Sequence, residues 1–267
     1  MTCKQIQELT AAPGLLLWNH FAEDPDMLFT KAWGIASAVS ALAKSSKAAF
    51  VSPDHNLPNR KEEYVSVALP DEESDHVLRC EHFPNYGDGH QLTYFRGTRN
   101  LPSAVLPLVD QLEALPAIRE EVRIGRERLG RRADAPFEWR LTLNRYLAGT
   151  QNERVGFPWH RDIEANGAST MILGLGTSGR LQFAESPEDR PKLDGLCYEV
   201  APIEPCVDLT LPPGDLLALT GKARWEMIHR VVGGEHFGNG GGDAAAAGGG
   251  GGAFGKKARL SIVLGCW

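Results

Sequence analysis

The chain has 267 residues, 42% of them hydrophobic and 8% aromatic, with a formal net charge of -6. That length can bury one large core, and the acidic balance excludes a general electrostatic affinity for nucleic acid while leaving room for a local basic patch. The five cysteines (Cys3, Cys80, Cys197, Cys206 and Cys266) are scattered and form no C-x-x-C pair, which argues against a disulfide framework or a structural zinc site and for reduced thiols in an intracellular protein, cytoplasmic or nuclear.

In chain order, Gly14–Phe21 is a short apolar run that predicts a buried strand. Leu15–Trp18 within it is too short for the apolar region of a secretory leader. Asp24-Pro25-Asp26 supplies helix-start signals for a helix to about Ala43. Lys31 interrupts this Ala-rich stretch, so a buried helix is expected and not a membrane span. Ser45–Asn59 predicts a loop, Tyr64–Leu69 a strand and Asp71–Asp75 an acidic surface turn. Phe83–Gly89 predicts a turn cluster leading into a strand over Leu92–Gly97. Val105, Leu108, Val109, Leu112 and Leu115 recur at helical spacing. Arg119–Arg132 carries six arginines diluted by Glu120, Glu121 and Glu127, the pattern of a solvated helix face or loop.

From Phe137 the pattern changes to short strands. Trp139–Tyr146 alternates cleanly, and Phe157–Ile163 follows. Asn166-Gly167 predicts a type I′ hairpin joining that strand to Ser169–Leu175. Gly179–Phe183, Val207–Leu211, Leu216–Leu219, Arg224–Val232 and Arg259–Leu264 read as further strands, with a charged loop over Glu185–Gly195. Gly233–Gly255 is dominated by Gly and Ala and predicts a flexible loop. Close-spaced strands with few helices suggest a barrel or sandwich of antiparallel sheets, with helices from the N-terminal half covering one sheet.

Within this pattern His160-Arg161-Asp162 stands out. Residues two apart on a strand share a face, so an imidazole and a carboxylate lie side by side. A second His from elsewhere would complete a 2-His-1-carboxylate facial triad for Fe(II).

Asn144-Arg-Tyr146, His160-Arg-Asp162, His229 and Arg259-Leu-Ser261, in this order, resemble the AlkB family of Fe(II)/2-oxoglutarate dioxygenases. Gly214-Asp-Leu-Leu and Gly221-x-x-Arg224-Trp225 add to the likeness, and Tyr86-Gly-Asp followed by Leu92-Thr-Tyr94 resembles the nucleotide-recognition lid of its repair members. The resemblance implies a mainly β fold: a double-stranded β-helix, or jelly roll, with an N-terminal α/β lid. It implies one domain over 1–267, with 1–135 supplying helices and lid and 136–267 the catalytic core. It assigns His160, Asp162 and His229 to Fe(II). It assigns Asn144, Tyr146 and Arg259 to 2-oxoglutarate, with O₂ as co-substrate. Period-two alternation puts Ser261 on the face of Arg259, where its hydroxyl can donate to the same carboxylate. A planar guanidinium suits that carboxylate as an ammonium does not.

Three departures stand out, one of them the Gly/Ala insertion that lengthens the path from His229 to Arg259. Where the family has a second arginine, this chain has Gly265; where repair members have an acidic residue after the metal Asp, it has Ile163, then Glu164. Tyr94, Phe95, Ile163 and Glu164 are the candidate substrate contacts. The expected activity is oxidative removal of N-linked methyl groups from nucleic acid by a monomer without membrane association. The rivals are the same chemistry on a protein side chain or small metabolite, which the acidic charge and Ile163 favour, and a barrel that holds ligand without turnover.

Overall fold

The computed structural model describes residues 6–45, 50–53, 61–86, 90–146, 156–186, 195–197, 203–233 and 258–267. In chain order the elements are β1 (Ile6–Glu8), β2 (Leu15–Trp18), α1 (Pro25–Ser45), β3 (Phe50–Pro53), β4 (Lys61–Pro70), β5 (Val77–Tyr86), β6 (His90–Arg96), α2 (Leu106–Glu113) and α3 (Pro116–Arg128). Then come β7 (Trp139–Tyr146), β8 (Phe157–Arg161), β9 (Ser169–Gly176), β10 (Gly179–Glu185), β11 (Gly195–Cys197), β12 (Val207–Leu211), β13 (Leu216–Leu219), α4 (Gly221–Trp225), β14 (Met227–Val231) and β15 (Arg259–Cys266). The expected flexible loop, 233–255, lies outside the described residues after Gly233.

The strands form two antiparallel sheets. The larger runs β1-β2-β13-β9-β15-β7-β6-β5-β4-β3, and the smaller runs β11-β8-β14-β10-β12. Together they make the double-sheet jelly roll, mainly β, with the helices outside it.

Alternation explains the layers. On β7 and β15, Trp139, Leu141, Leu143, Leu260, Ile262 and Leu264 join the core that also holds Trp33, Ala36 and Val39 of α1 and Leu108, Val109 and Leu112 of α2. Their neighbours in sequence point the other way, so Tyr146 shares a second core with Ile172, Leu181, Phe183 and Leu217, between the sheets. Helix α1 begins where expected, because Asp24 Oδ1 accepts the Met27 N–H at 2.9 Å. No helix among the described residues is long and apolar enough to cross a membrane.

Five local expectations are corrected. Asn166-Gly167 closes no hairpin, since β8 belongs to the smaller sheet and β9 to the larger. Residues Glu164–Asn166 form a 3₁₀ turn, and Gly167 (φ 115°) lies where a Cβ would strike the Cys266 backbone. The Ala168 N–H bonds the Cys266 carbonyl at 2.7 Å, so contact with β15 sets this crossover and overrides the local turn preference. Phe83–Tyr86 is not a turn but the end of β5, with a register shift between Phe83 and Tyr86 where Pro84 cannot donate to the ladder. Within the expected loop after Ser45, Phe50–Pro53 forms β3 at the sheet edge, where a proline is tolerated. Arg224-Trp225 ends the short helix α4, and the strand starts only at Met227. Finally, β8 stops at Arg161, so Asp162 follows the strand and is not part of it.

Helix α3 and the turn after it carry the arginine-rich stretch, with most of its cations engaged within the protein. Arg123 pairs with Glu120 and Glu127, and Arg132 with Asp134. Arg126 turns inward, 5% exposed, to donate to the carbonyls of Ala133, Ala135 and Pro136.

Candidate metal and 2-oxo acid site

The smaller sheet brings the three predicted metal ligands together. Strands β8 and β14 pair so that His160 lies directly opposite His229, their ring centroids 4.1 Å apart. Asp162, just past the end of β8, returns its carboxylate to the pair, with His160 Nε2 to Asp162 Oδ1 at 3.9 Å. One ligand atom from each of the three lies within 4.8 Å of the others, and all three residues are buried. Phe157 packs on His160 at 4.1 Å between centroids and Phe183 on His229 at 5.5 Å, giving the site apolar walls.

The donor chemistry fits a divalent ion. Burial pushes the His229 imidazole down to about 3, with His160 and Arg224 adding to the effect against Asp162. Burial likewise lowers His160. For Asp162, burial pushes the carboxyl up, but His229, the Arg224 guanidinium and His160 outweigh it and hold the group below its ordinary range. The set therefore presents two neutral imidazoles and one carboxylate, the protonation states a metal ligand needs. The His160 Nδ1 lies 2.8 Å from the Pro158 carbonyl, a contact that fixes the ring's orientation. His229 Nδ1 has no hydrogen-bond partner among the described residues.

The predicted 2-oxoglutarate residues form a second group on the larger sheet. In the β7–β15 ladder Arg259 is opposite Tyr146 and Ser261 is opposite Asn144, so all four share one face. Arg259 is fully buried and its guanidinium lies 4.7 Å from the Tyr146 ring centroid. Burial lowers the Arg259 pKa, opposed by Tyr146, and raises that of the Tyr146 phenol, opposed by Arg259. Room for the guanidinium comes from Gly179 at the start of β10, where any Cβ would fall on it. Arg180, the next residue, points outward and forms a bidentate pair with Asp208.

The tentative substrate residues divide. Tyr94 is opposite Thr142, on the face that carries Asn144 and Tyr146. Its hydroxyl accepts from Arg140 Nη1 at 3.4 Å and Arg96 lies 4.8 Å from its ring centroid. Phe95 faces the helices and is fully buried in their core. Strand alternation forbids neighbours from sharing a face, so the structure brings only one of these two aromatics to the site side. Ile163 is 36% exposed directly after Asp162. Glu164 is exposed and pairs with Arg131 at 3.3 Å.

Sequence reasoning gave no role to Arg224, Gly179 or His90. Arg224 sat in a quoted motif, Gly221-x-x-Arg224-Trp225, without a function. Gly179 carried no signal, because what matters there is a missing side chain. His90 stacks on Tyr146 (5.2 Å, 18°) and packs on Phe157 (4.6 Å), and it lies just outside the strand expected from Leu92, so the sequence carried no signal for it.

His90 and His82 set an expected pH response of the metal-free protein. Burial pushes His90 down to about 3 and, with Arg145 adding to it, His82 down to about 4. The unfolded chain takes up protons near the ordinary imidazole value of 6.5 while the folded protein stays neutral at both sites. Stability is thus fully present above that value and is lost as pH falls toward the folded ones. At pH 5 the loss from His90 alone is about 2 kcal/mol. Urea midpoints at pH 7 and pH 5 measure it, and His90→Phe flattens the dependence. An unflattened profile in that variant removes His90 from the account.

No protein-family model and no curated protein sequence matches the chain. Among solved structures it is similar to OsALKBH1, at 14% identity over 97% of this chain and 100% of that one, with a TM-score of 0.45. It is similar to a Pseudomonas putida prolyl-4-hydroxylase at 14% identity over 95% of this chain and 91% of that one, TM-score 0.42. It is also similar to the Escherichia coli ribosomal oxygenase YcfD at 13% identity over 98% of this chain and 52% of that one, TM-score 0.40, so it spans about half that protein's length. These likenesses concern the fold alone.

Proposed function

We propose that the chain is an Fe(II)/2-oxoglutarate-dependent dioxygenase that removes methyl groups from N-alkylated bases in nucleic acid. The observation that carries this reading is the buried His160, Asp162 and His229 set in a jelly roll that also buries Arg259, Tyr146, Asn144 and Ser261 on one face. His160, Asp162 and His229 would hold the metal on one face, leaving the others open. Arg259 would take the distal carboxylate of 2-oxoglutarate through its planar fork, with the Tyr146 and Ser261 hydroxyls donating beside it. Bound Fe(II) and 2-oxoglutarate supply O₂ activation, with succinate and CO₂ as co-products and formaldehyde released from the hydroxylated methyl group. Phe157 and Phe183 limit water around the imidazoles. On the site side of β6, Tyr94 offers a face on which an unpaired base stacks, worth about 1–3 kcal/mol. A duplex substrate would need its base flipped out of the stack.

A second reading has a specific observation in its favour. Ile163 offers an apolar contact where a carboxylate would read a base edge, and most of the α3 arginines already have protein partners. Both features suit a protein side chain or a small metabolite under the same metal chemistry.

Succinate formation, measured with methylated single-stranded oligonucleotides and with peptides, separates the readings. The first expects stimulation by the oligonucleotide, affinity that falls as salt rises, and a several-fold higher oligonucleotide KM for Tyr94→Ala. Stimulation by peptides alone transfers the assignment to the second reading, and no succinate under any condition leaves a ligand-binding barrel.

A further inference from the structure

Two arginines outside the ligand set brace the segments that carry it against each other. Arg161 lies between His160 and Asp162, and its Nη1 donates to the Trp225 carbonyl at 3.0 Å. Arg224, the residue before Trp225, returns the contact. Its Nη1 donates to the Asp162 carbonyl at 2.9 Å and its Nη2 to the Ile163 carbonyl at 2.8 Å. Arg224 is 1% exposed, and its guanidinium lies 4.5 Å from the Trp225 ring centroid.

The need for this brace follows from where β8 stops. Its ladder ends at Arg161, so the Asp162 carbonyl takes its donor from elsewhere, and the Ile163 carbonyl, which accepts the Asn166 N–H at 2.9 Å, takes a second one from Arg224. A guanidinium fork spans two successive carbonyls; an ammonium offers a point charge and no such plane. Helix α4, which carries Arg224, is itself anchored, with Thr220 N–H to the Gly14 carbonyl at 2.8 Å and Ala223 N–H to the Pro13 carbonyl at 3.0 Å. His229 follows Trp225 by four residues, so one end of the brace lies just before the distal imidazole and the other beside the carboxylate. The far side of the same segment is held too. Asn166 Nδ2 donates to Asp162 Oδ1 at 3.3 Å, and the Asn166 carbonyl occupies the space that a Cβ on Gly265 would need.

We propose that Arg224 and Arg161 are positioning residues that preorganise the metal ligands, holding Asp162 at coordination distance from the His160–His229 pair before any ion binds. The proposal rests on reading that trio as a metal site. Neither arginine touches the ion; each acts through the backbone that carries Asp162 or leads to His229.

Co(II) is the probe, titrated into the full chain and into Arg224→Met, Arg224→Lys and Arg161→Met well below each protein's melting temperature. Losing a group that orients a ligand weakens metal binding roughly 10- to 100-fold, so Arg224→Met raises the Co(II) Kd by at least about tenfold. It also alters the visible Co(II) spectrum, which reports ligand geometry. Arg224→Lys recovers part of the affinity and Arg161→Met shows a smaller rise. A role confined to stability would lower Tm while leaving Kd and spectrum as they are, and that result overturns the proposal. If Arg224→Met does not fold, Arg224→Lys and Arg161→Met decide the matter, with wild-type Kd and spectrum in both counting against it. Failure of the unmodified chain to bind Co(II) overturns the metal reading itself, whereas normal binding by the unmodified chain and by the variants overturns only the brace.

Discussion

Replacing Asp162 with Ala removes divalent-metal binding and, with it, 2-oxoglutarate turnover. The expected fall exceeds about a hundredfold, the upper end of what is lost when only an orienting partner is removed. The reason is the composition of the set. His160 and His229 are neutral under burial, and Asp162 is the anion of the trio, so its loss leaves two buried imidazoles and no charge to offset a dication. His229→Ala is expected to behave alike, since the paired register of β8 and β14 places no other imidazole opposite His160. Calorimetric titration with Co(II) and succinate formation measure the two effects. Residual turnover above a few per cent of wild type in either variant would remove that ligand from the site.

Replacing Arg259 with Lys raises the 2-oxoglutarate KM about 10- to 100-fold, the equivalent of a charge-assisted hydrogen bond at roughly 1.5–3 kcal/mol. The charge survives, but the fork does not, and a shorter reach from a fully buried position cannot restore it. A second variant reaches the same group without touching it. Gly179→Ala places a methyl on the guanidinium, so Arg259 must move. Its 2-oxoglutarate KM is expected to rise while its Co(II) affinity stays near wild type, because Gly179 opens β10 well before Phe183, the residue of that strand opposite His229. An unchanged KM in both variants would mean another cation holds the carboxylate. Arg180, the neighbouring cation on β10, would first have to leave Asp208 on the outer face of the smaller sheet.

What was legible in the sequence was what alternation encodes. On β7 and β15 the odd and even positions separate a helix-facing apolar set from a site-facing polar set, and the β7–β15 register then brings Arg259 to Tyr146 and Ser261 to Asn144. The same rule, applied at Tyr94-Phe95, would have kept only one of them as a site residue. Long-range competition was not legible. Asn166-Gly167 has the local chemistry of a hairpin, yet the next residue, Ala168, donates its N–H to the carbonyl of Cys266, far along the chain, and the turn becomes a crossover. Gly265 looked like a lost arginine, but the Asn166 carbonyl leaves no room there for any side chain. Arg224 was hidden because it acts on carbonyls, which carry no residue signature, and its partners are sixty positions away in the chain.

A metal and a 2-oxo acid are expected to bind together, one held by the smaller sheet and one by the larger. Calorimetric titration of 2-oxoglutarate into the anaerobic protein, with and without one equivalent of Fe(II), tests this directly. The expected result is one 2-oxoglutarate per chain, bound much more tightly with Fe(II) than without, and lost in Asp162→Ala. Binding of equal strength with and without the metal, or no binding in either case, would contradict it.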